Sequence, residues 1–142
     1  MKKIIFVRHG RAEDQNSDIS DFERSLTTKG KVIARQMARK FTETEKDPGL
    51  FISSPAFRAL ETAYIFASAA DIRPDSVLIR SDLYYKANMN LLLNMLEKID
   101  ESISTITLFG HNPAFTEIPD RLSEKGGEFV SKTSIVCVAF NA

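Results

Sequence analysis

The sequence predicts an α/β fold with parallel strands joined by helical crossovers. Three observations carry this reading. Short apolar, β-branched runs recur along the chain, as in strands buried on both faces. One-sided apolar stripes of helical spacing lie between them, as in helices packed on a sheet. The two kinds of segment alternate, which calls for crossover connections.

Five runs read as strands: residues 3–7, 50–53, 76–80, 105–109 and 134–140. The first helical pattern, residues 28–41, sets Ile33, Met37 and Phe41 at successive fourth positions with Ala34 and Ala38 beside them. The second, residues 55–69, carries Leu60, Ala63, Tyr64 and Ala67. Ser54 reads as its N-cap and Pro55 as its first residue, where a missing N–H costs nothing. The third, residues 90–99, carries Leu92, Met95, Leu96 and Ile99. A shorter fourth helix is expected to open near Pro113. Loops span residues 10–27, 42–49, 71–75 and 124–131, and "EKGGEF" reads as a flexible turn. A length of 142 residues, without repeats or low-complexity segments, suits one domain spanning residues 1–142.

Nineteen basic and nineteen acidic side chains cancel. That argues against a nucleic-acid binder driven by bulk charge and leaves room for a local cationic pocket. The single cysteine, Cys137, lies in the apolar run "SIVCVAF" and is expected to be a small buried hydrophobe in a reducing compartment. The first apolar run is too short for a secretory signal, and nothing approaches the ~20 apolar residues of a membrane span. A soluble, cytoplasmic chain with no membrane partner is expected.

Ligands of open α/β sheets bind beyond the carboxyl ends of the strands, so the residues after each strand matter most. Arg8, His9, Gly10 and Arg11 follow the first, "SSPAFRALET" the second and "GHNPAFTE" the fourth. Arg58 then stands in the first turn of a helix, where the dipole disfavours a cation unless an anion binds there too. Gly110 allows a close approach before His111. The only two histidines of the chain both sit at such junctions. Three junctions that each supply a cationic or imidazole group point to a phosphate-type anion site.

Arginines match phosphate oxygens with planar forks. His9 in such a nest suits attack on phosphorus and covalent carriage of the phosphoryl group. Arg8 and Arg58 nearby favour its neutral, nucleophilic form. His111, when protonated, would hold the transferring oxygens. Two histidines without convergent carboxylates make a poor metal site. No "GxxxxGK[ST]" loop is present.

These blocks, "VRHGRAE", "LTTKG", "SSPAFRALETA" and "GHNPAFTE", together resemble the histidine phosphatase superfamily, in order and spacing, from Lys3 to about Leu122. The short length and "GHNP" look most like its SixA-type phosphohistidine phosphatases. The resemblance implies a three-layer α/β/α sandwich with a mostly parallel central sheet, the phosphoglycerate-mutase-like fold. It implies a cofactor-free and metal-free phosphatase with His9 as nucleophile, Arg8 and Arg58 as phosphate clamps and His111 as the second pocket histidine. Asn112 is a candidate contact beside it. Arg24 and Leu26, in "DFERSLTTKG", are expected to shape the loop beside the site, with Ser25 where the family usually has proline. Arg11 is expected on the rim, and Asp18 and Asp21 as solvated loop charges.

One departure bears on substrate. Many family members carry a glutamate proton donor after the third strand; here the segment reads "SDLYYKANMN", leaving Asp82 as the possible donor. An alkoxide leaves poorly without an acid, whereas a phosphoramidate nitrogen leaves as neutral imidazole. The absence favours phosphohistidine on a protein. The alternatives are a small phosphorylated molecule, as for a phosphomonoesterase, or a non-catalytic phosphate-binding module.

Overall fold

The computed structural model describes residues 2–16, 18–84, 88–112, 114–122 and 135–140. A five-stranded sheet is built from β1 (Lys2–Arg8), β2 (Leu50–Ser53), β3 (Leu78–Ile79), β4 (Thr105–Gly110) and β5 (Ile135–Phe140). The order is β3-β2-β4-β1-β5. β1, β2, β3 and β4 are parallel; β5 runs antiparallel to β1 at the edge. Four α-helices, α1 (Thr28–Thr44), α2 (Phe57–Ala69), α3 (Met89–Glu97) and α4 (Ala114–Leu122), and three short 3-10 turns, Asp21–Glu23, Pro74–Ser76 and Ser81–Leu83, complete the described elements.

Strand alternation sends successive side chains to opposite faces, and both faces of this sheet are apolar. Ile4 and Phe6 join Ile52, Leu108, Leu92 of α3 and Phe115 and Ile118 of α4 in one core. Ile5 and Val7 join Phe51, Phe109, Phe41 of α1 and Phe66 of α2 in the other. The result is the three-layer α/β/α sandwich.

Four differences from the sequence expectation have local causes. β3 keeps only two residues, because Pro74–Ser76 form a 3-10 turn instead. Helix α2 starts at Phe57 with Ala56 as N-cap, not at Pro55 with Ser54 as cap. The chain leaving β2 stays extended long enough for the Ser54 amide to bond the Phe109 carbonyl of β4 (2.9 Å). Helix α1 continues to Thr44, three residues past Phe41, with its start capped as Thr27 Oγ1 accepts the Gly30 amide. Cys137 is exposed rather than buried, because it lies on the edge strand between Val136 and Val138, which turn to a core. Pro113, Ser134 and the loop expected at 124–131 lie outside the described residues.

Candidate active site

The junctions after β1, β2 and β4 meet at one carboxyl edge of the sheet. The His9 amide bonds the Gly110 carbonyl (3.1 Å), continuing the β1–β4 pairing one residue past the strand. The Ser54 bond to Phe109 ties β2 to the same place. Three segments remote in sequence are thus held by backbone hydrogen bonds before any side chain takes part. Gly110 is needed at this crossing: a Cβ there would stand 2.5 Å from the Phe115 ring.

A polar cavity of about 330 Å³ opens at this edge, lined by Arg8, His9, Asp14, Arg58, His111 and Asn112 together with Ala12 and Arg24. All four residues expected to carry the chemistry line it, as does Asn112. Asp82 does not. It is exposed and lines a separate groove with Arg80, Asn94 and Lys98. The 3-10 turn Ser81–Leu83 buries Leu83 in the core and places exposed Asp82 outside the cavity that His9 lines.

His9 is buried, at 7% exposure. Its Nδ1 lies 2.6 Å from the Gly10 carbonyl. A carbonyl only accepts, so Nδ1 carries a proton, and in the neutral ring the lone pair is on Nε2. The Gly10 amide in turn donates to Thr62 Oγ1 (3.2 Å), whose hydroxyl donates to the Arg58 carbonyl (2.8 Å). Helix α2 so fixes the turn that carries His9. The His9 and His111 rings stand 5.0 Å apart between centroids.

Arg58 is 5% exposed. Its Nη1 donates to the Asp21 carbonyl (2.7 Å) and its Nη2 to Asp21 Oδ2 (3.0 Å). The Tyr84 hydroxyl donates to the same Oδ2 (2.6 Å), and Arg24 donates twice to Oδ1 (2.8 and 3.1 Å). Arg24 Nη1 also holds the Glu13 carbonyl (2.8 Å). Asp21 is the hub of the site, not a solvated loop charge. Burial works to raise its carboxyl, but hydrogen bonds from Tyr84, Arg24 and Arg58 outweigh that and hold it well below the usual carboxylate range. Burial pushes His111 down to about 3, and the neighbouring Arg58 guanidinium acts in the same direction. The ring is neutral near pH 7, where the sequence reading considered its protonated form. Arg8 is likewise lowered by burial.

Tyr84 stacks edge-on to His111 (5.6 Å) and lies under the Arg58 guanidinium (5.9 Å). Sequence reading missed Asp21, Tyr84, Thr62 and Ser54. The available signal was charge: the loop at residues 10–27 carries five acids, and so acidic a loop beside a cluster of arginines is a place to look for their counter-ion.

Residues 4–83 match the family model of the histidine phosphatase superfamily, branch 1. The chain belongs to the histidine phosphatase superfamily. An uncharacterized protein of Picosynechococcus is 29% identical over 116 residues, 81% of this chain and 69% of that one. Among solved structures, the protein histidine phosphatase SixA complexed with tungstate superposes with a TM-score of 0.84 at 21% identity, covering 98% of this chain and 88% of that one. The SixA of Agrobacterium tumefaciens gives 0.82 at 21% identity over 96% of this chain and 90% of that one. A mycobacterial glucosyl-3-phosphoglycerate phosphatase gives 0.65 at 14% identity, over 96% and 89%. This histidine phosphatase superfamily member is thus a hydrolytic phosphatase with a SixA-like fold, and among its described residues no helix is long and apolar enough to cross a membrane.

Proposed function

We propose that the chain removes phosphoryl groups through a covalent phosphohistidine on His9, and that its substrate is phosphohistidine presented on a protein. The observation that carries this is the His9 tautomer: with Nδ1–H held by the Gly10 carbonyl, the Nε2 lone pair belongs to a ring on the wall of an arginine-lined cavity. In the first step Nε2 forms a bond to phosphorus while the bond from phosphorus to the substrate nitrogen breaks. A substrate ring already protonated on its other nitrogen leaves as neutral imidazole, so no carboxylic acid is required. Water then attacks the phosphohistidine, inorganic phosphate departs, and His9 regains its lone pair. Arg8, Arg58 and the His111 N–H stabilise the equatorial oxygens in both steps. The likeness to the protein histidine phosphatase SixA supports this substrate class.

One observation favours the second reading, a small-molecule phosphomonoesterase. Asp14 lines the cavity and offers the acid that an alkoxide leaving group needs. Incubation with a labelled phosphoryl donor, quenched in alkali, separates the readings. Label on His9, lost in His9→Ala and delivered by phosphohistidine peptides far better than by sugar phosphates, is the expected result. Efficient labelling from sugar phosphates, abolished by Asp14→Asn, would support the second reading. Neither label nor turnover with any donor would leave a phosphate-binding module.

A further inference from the structure

Ser54 stands against His111, fully buried, with its Oγ 2.8 Å from His111 Nε2. A hydroxyl has one proton to give, and the direction of this hydrogen bond decides which His111 nitrogen carries hydrogen. Ser54 Oγ already accepts the Ala56 amide (3.3 Å), the bond that sets the exit from β2 towards helix α2. Among the described residues Oγ has no hydrogen-bond partner besides these two. If His111 Nε2 carried the proton, the buried hydroxyl would be left with no acceptor, a costly arrangement.

The far side of the ring gives an independent argument. His111 Nδ1 is buried and has no hydrogen-bond partner among the described residues, on a ring that lines the anion cavity. A bare lone pair there would repel a phosphoryl oxygen; an N–H would bind it. Both ends of the ring therefore demand the same tautomer.

We propose that Ser54 is a positioning residue: its hydroxyl donates to His111 Nε2, holds the ring as the Nδ1–H tautomer and so turns a neutral histidine into a phosphoryl-oxygen donor. The inference rests on the cavity being the phosphoryl site, but its test does not need turnover. It also places both imidazoles of the chain in the same Nδ1–H form, His9 through a carbonyl and His111 through a hydroxyl. In His9 this form leaves a nucleophilic Nε2; in His111 it supplies a donor at Nδ1.

The test is long-range proton–nitrogen correlation NMR on the nitrogen-15-labelled protein at pH 7, with and without inorganic phosphate. Only two imidazoles contribute, and His9→Ala assigns them. The expected His111 pattern is a protonated Nδ1 and a bare Nε2. Ser54→Ala should move the pattern towards protonated Nε2 and cut kcat at least tenfold. Ser54→Thr, which keeps the hydroxyl, should restore both. A wild-type His111 with protonated Nε2 would overturn the proposal, as would an unchanged pattern in a folded Ser54→Ala. If Ser54→Ala does not fold, the wild-type spectrum alone decides the tautomer, and Ser54→Cys, a weaker donor, replaces it as the perturbation. A correct tautomer without any label on His9 would sink the phosphatase chemistry proposed above and leave the Ser54 assignment standing.

Discussion

Arg58 enters the cavity with both terminal nitrogens already committed to Asp21. Its reach towards a phosphoryl oxygen is therefore set by a carboxylate in a different loop. Asp21→Asn should lower kcat/KM by up to about 100-fold, because small misplacements at a reacting centre cost that much. The stability loss should stay near ~1 kcal/mol, since the Asp21 side chain is partly exposed. Steady-state kinetics beside denaturant titration checks the split. The depressed His111 has a separate signature in stability. An unfolded histidine titrates near 6.5 while this one waits until about 3, so between those values the unfolded chain binds the extra proton. Stability therefore falls as pH drops from 7 to 4.5, and His111→Gln should flatten that fall in denaturant midpoints. Asp21 contributes only lower down, where its carboxyl would protonate in the unfolded chain. The residues legible in the sequence were the chain's two histidines, His9 and His111, and the arginines at the same junctions, Arg8 and Arg58. Asp21, Ser54 and Thr62 were not, because common polar residues acquire meaning only through partners 37, 57 and 52 positions away.

Helix and strand identities followed from apolar periodicity, which is the same physical quantity that buries them. Their ends did not. Helix α2 begins two residues later than capping preference suggests, since Ser54 spends its hydroxyl on His111 while also accepting the Ala56 amide. Local propensity yielded to a tertiary hydrogen bond. The close packing at the end of β4 is the element-scale feature most open to test. Phe115 of α4 packs edge-on against Phe6 of β1 and leaves no room for a side chain at position 110. Gly110→Ala should destabilise the protein by about 1–3 kcal/mol through overpacking. It should also lower turnover, because the carbonyl of the same residue receives the His9 amide. Urea unfolding and an activity assay on the one variant measure both. A stability equal to wild type would show that helix α4 can move aside.

For the whole molecule, the sheet order was the feature that alternation could not supply. Strand-helix alternation indicates parallel crossovers but does not rank the strands, and the antiparallel β5 had no sequence mark of its direction. The observed order places β1 between β4 and β5, and β4 between β2 and β1. Both strands that deliver the histidines are interior. The amide of His9 and the amide of Ser54 each close onto β4, so neither is freed until the sheet itself comes apart. In amide hydrogen exchange these two protons should rank with the slowest in the chain, at the free energy of global opening. Measured exchange at the rate of surface loops would contradict that placement. The consequence reaches beyond protection. A catalytic edge whose backbone closes onto an interior strand keeps its shape until the sheet is lost, so loss of activity on heating should coincide with loss of the native state.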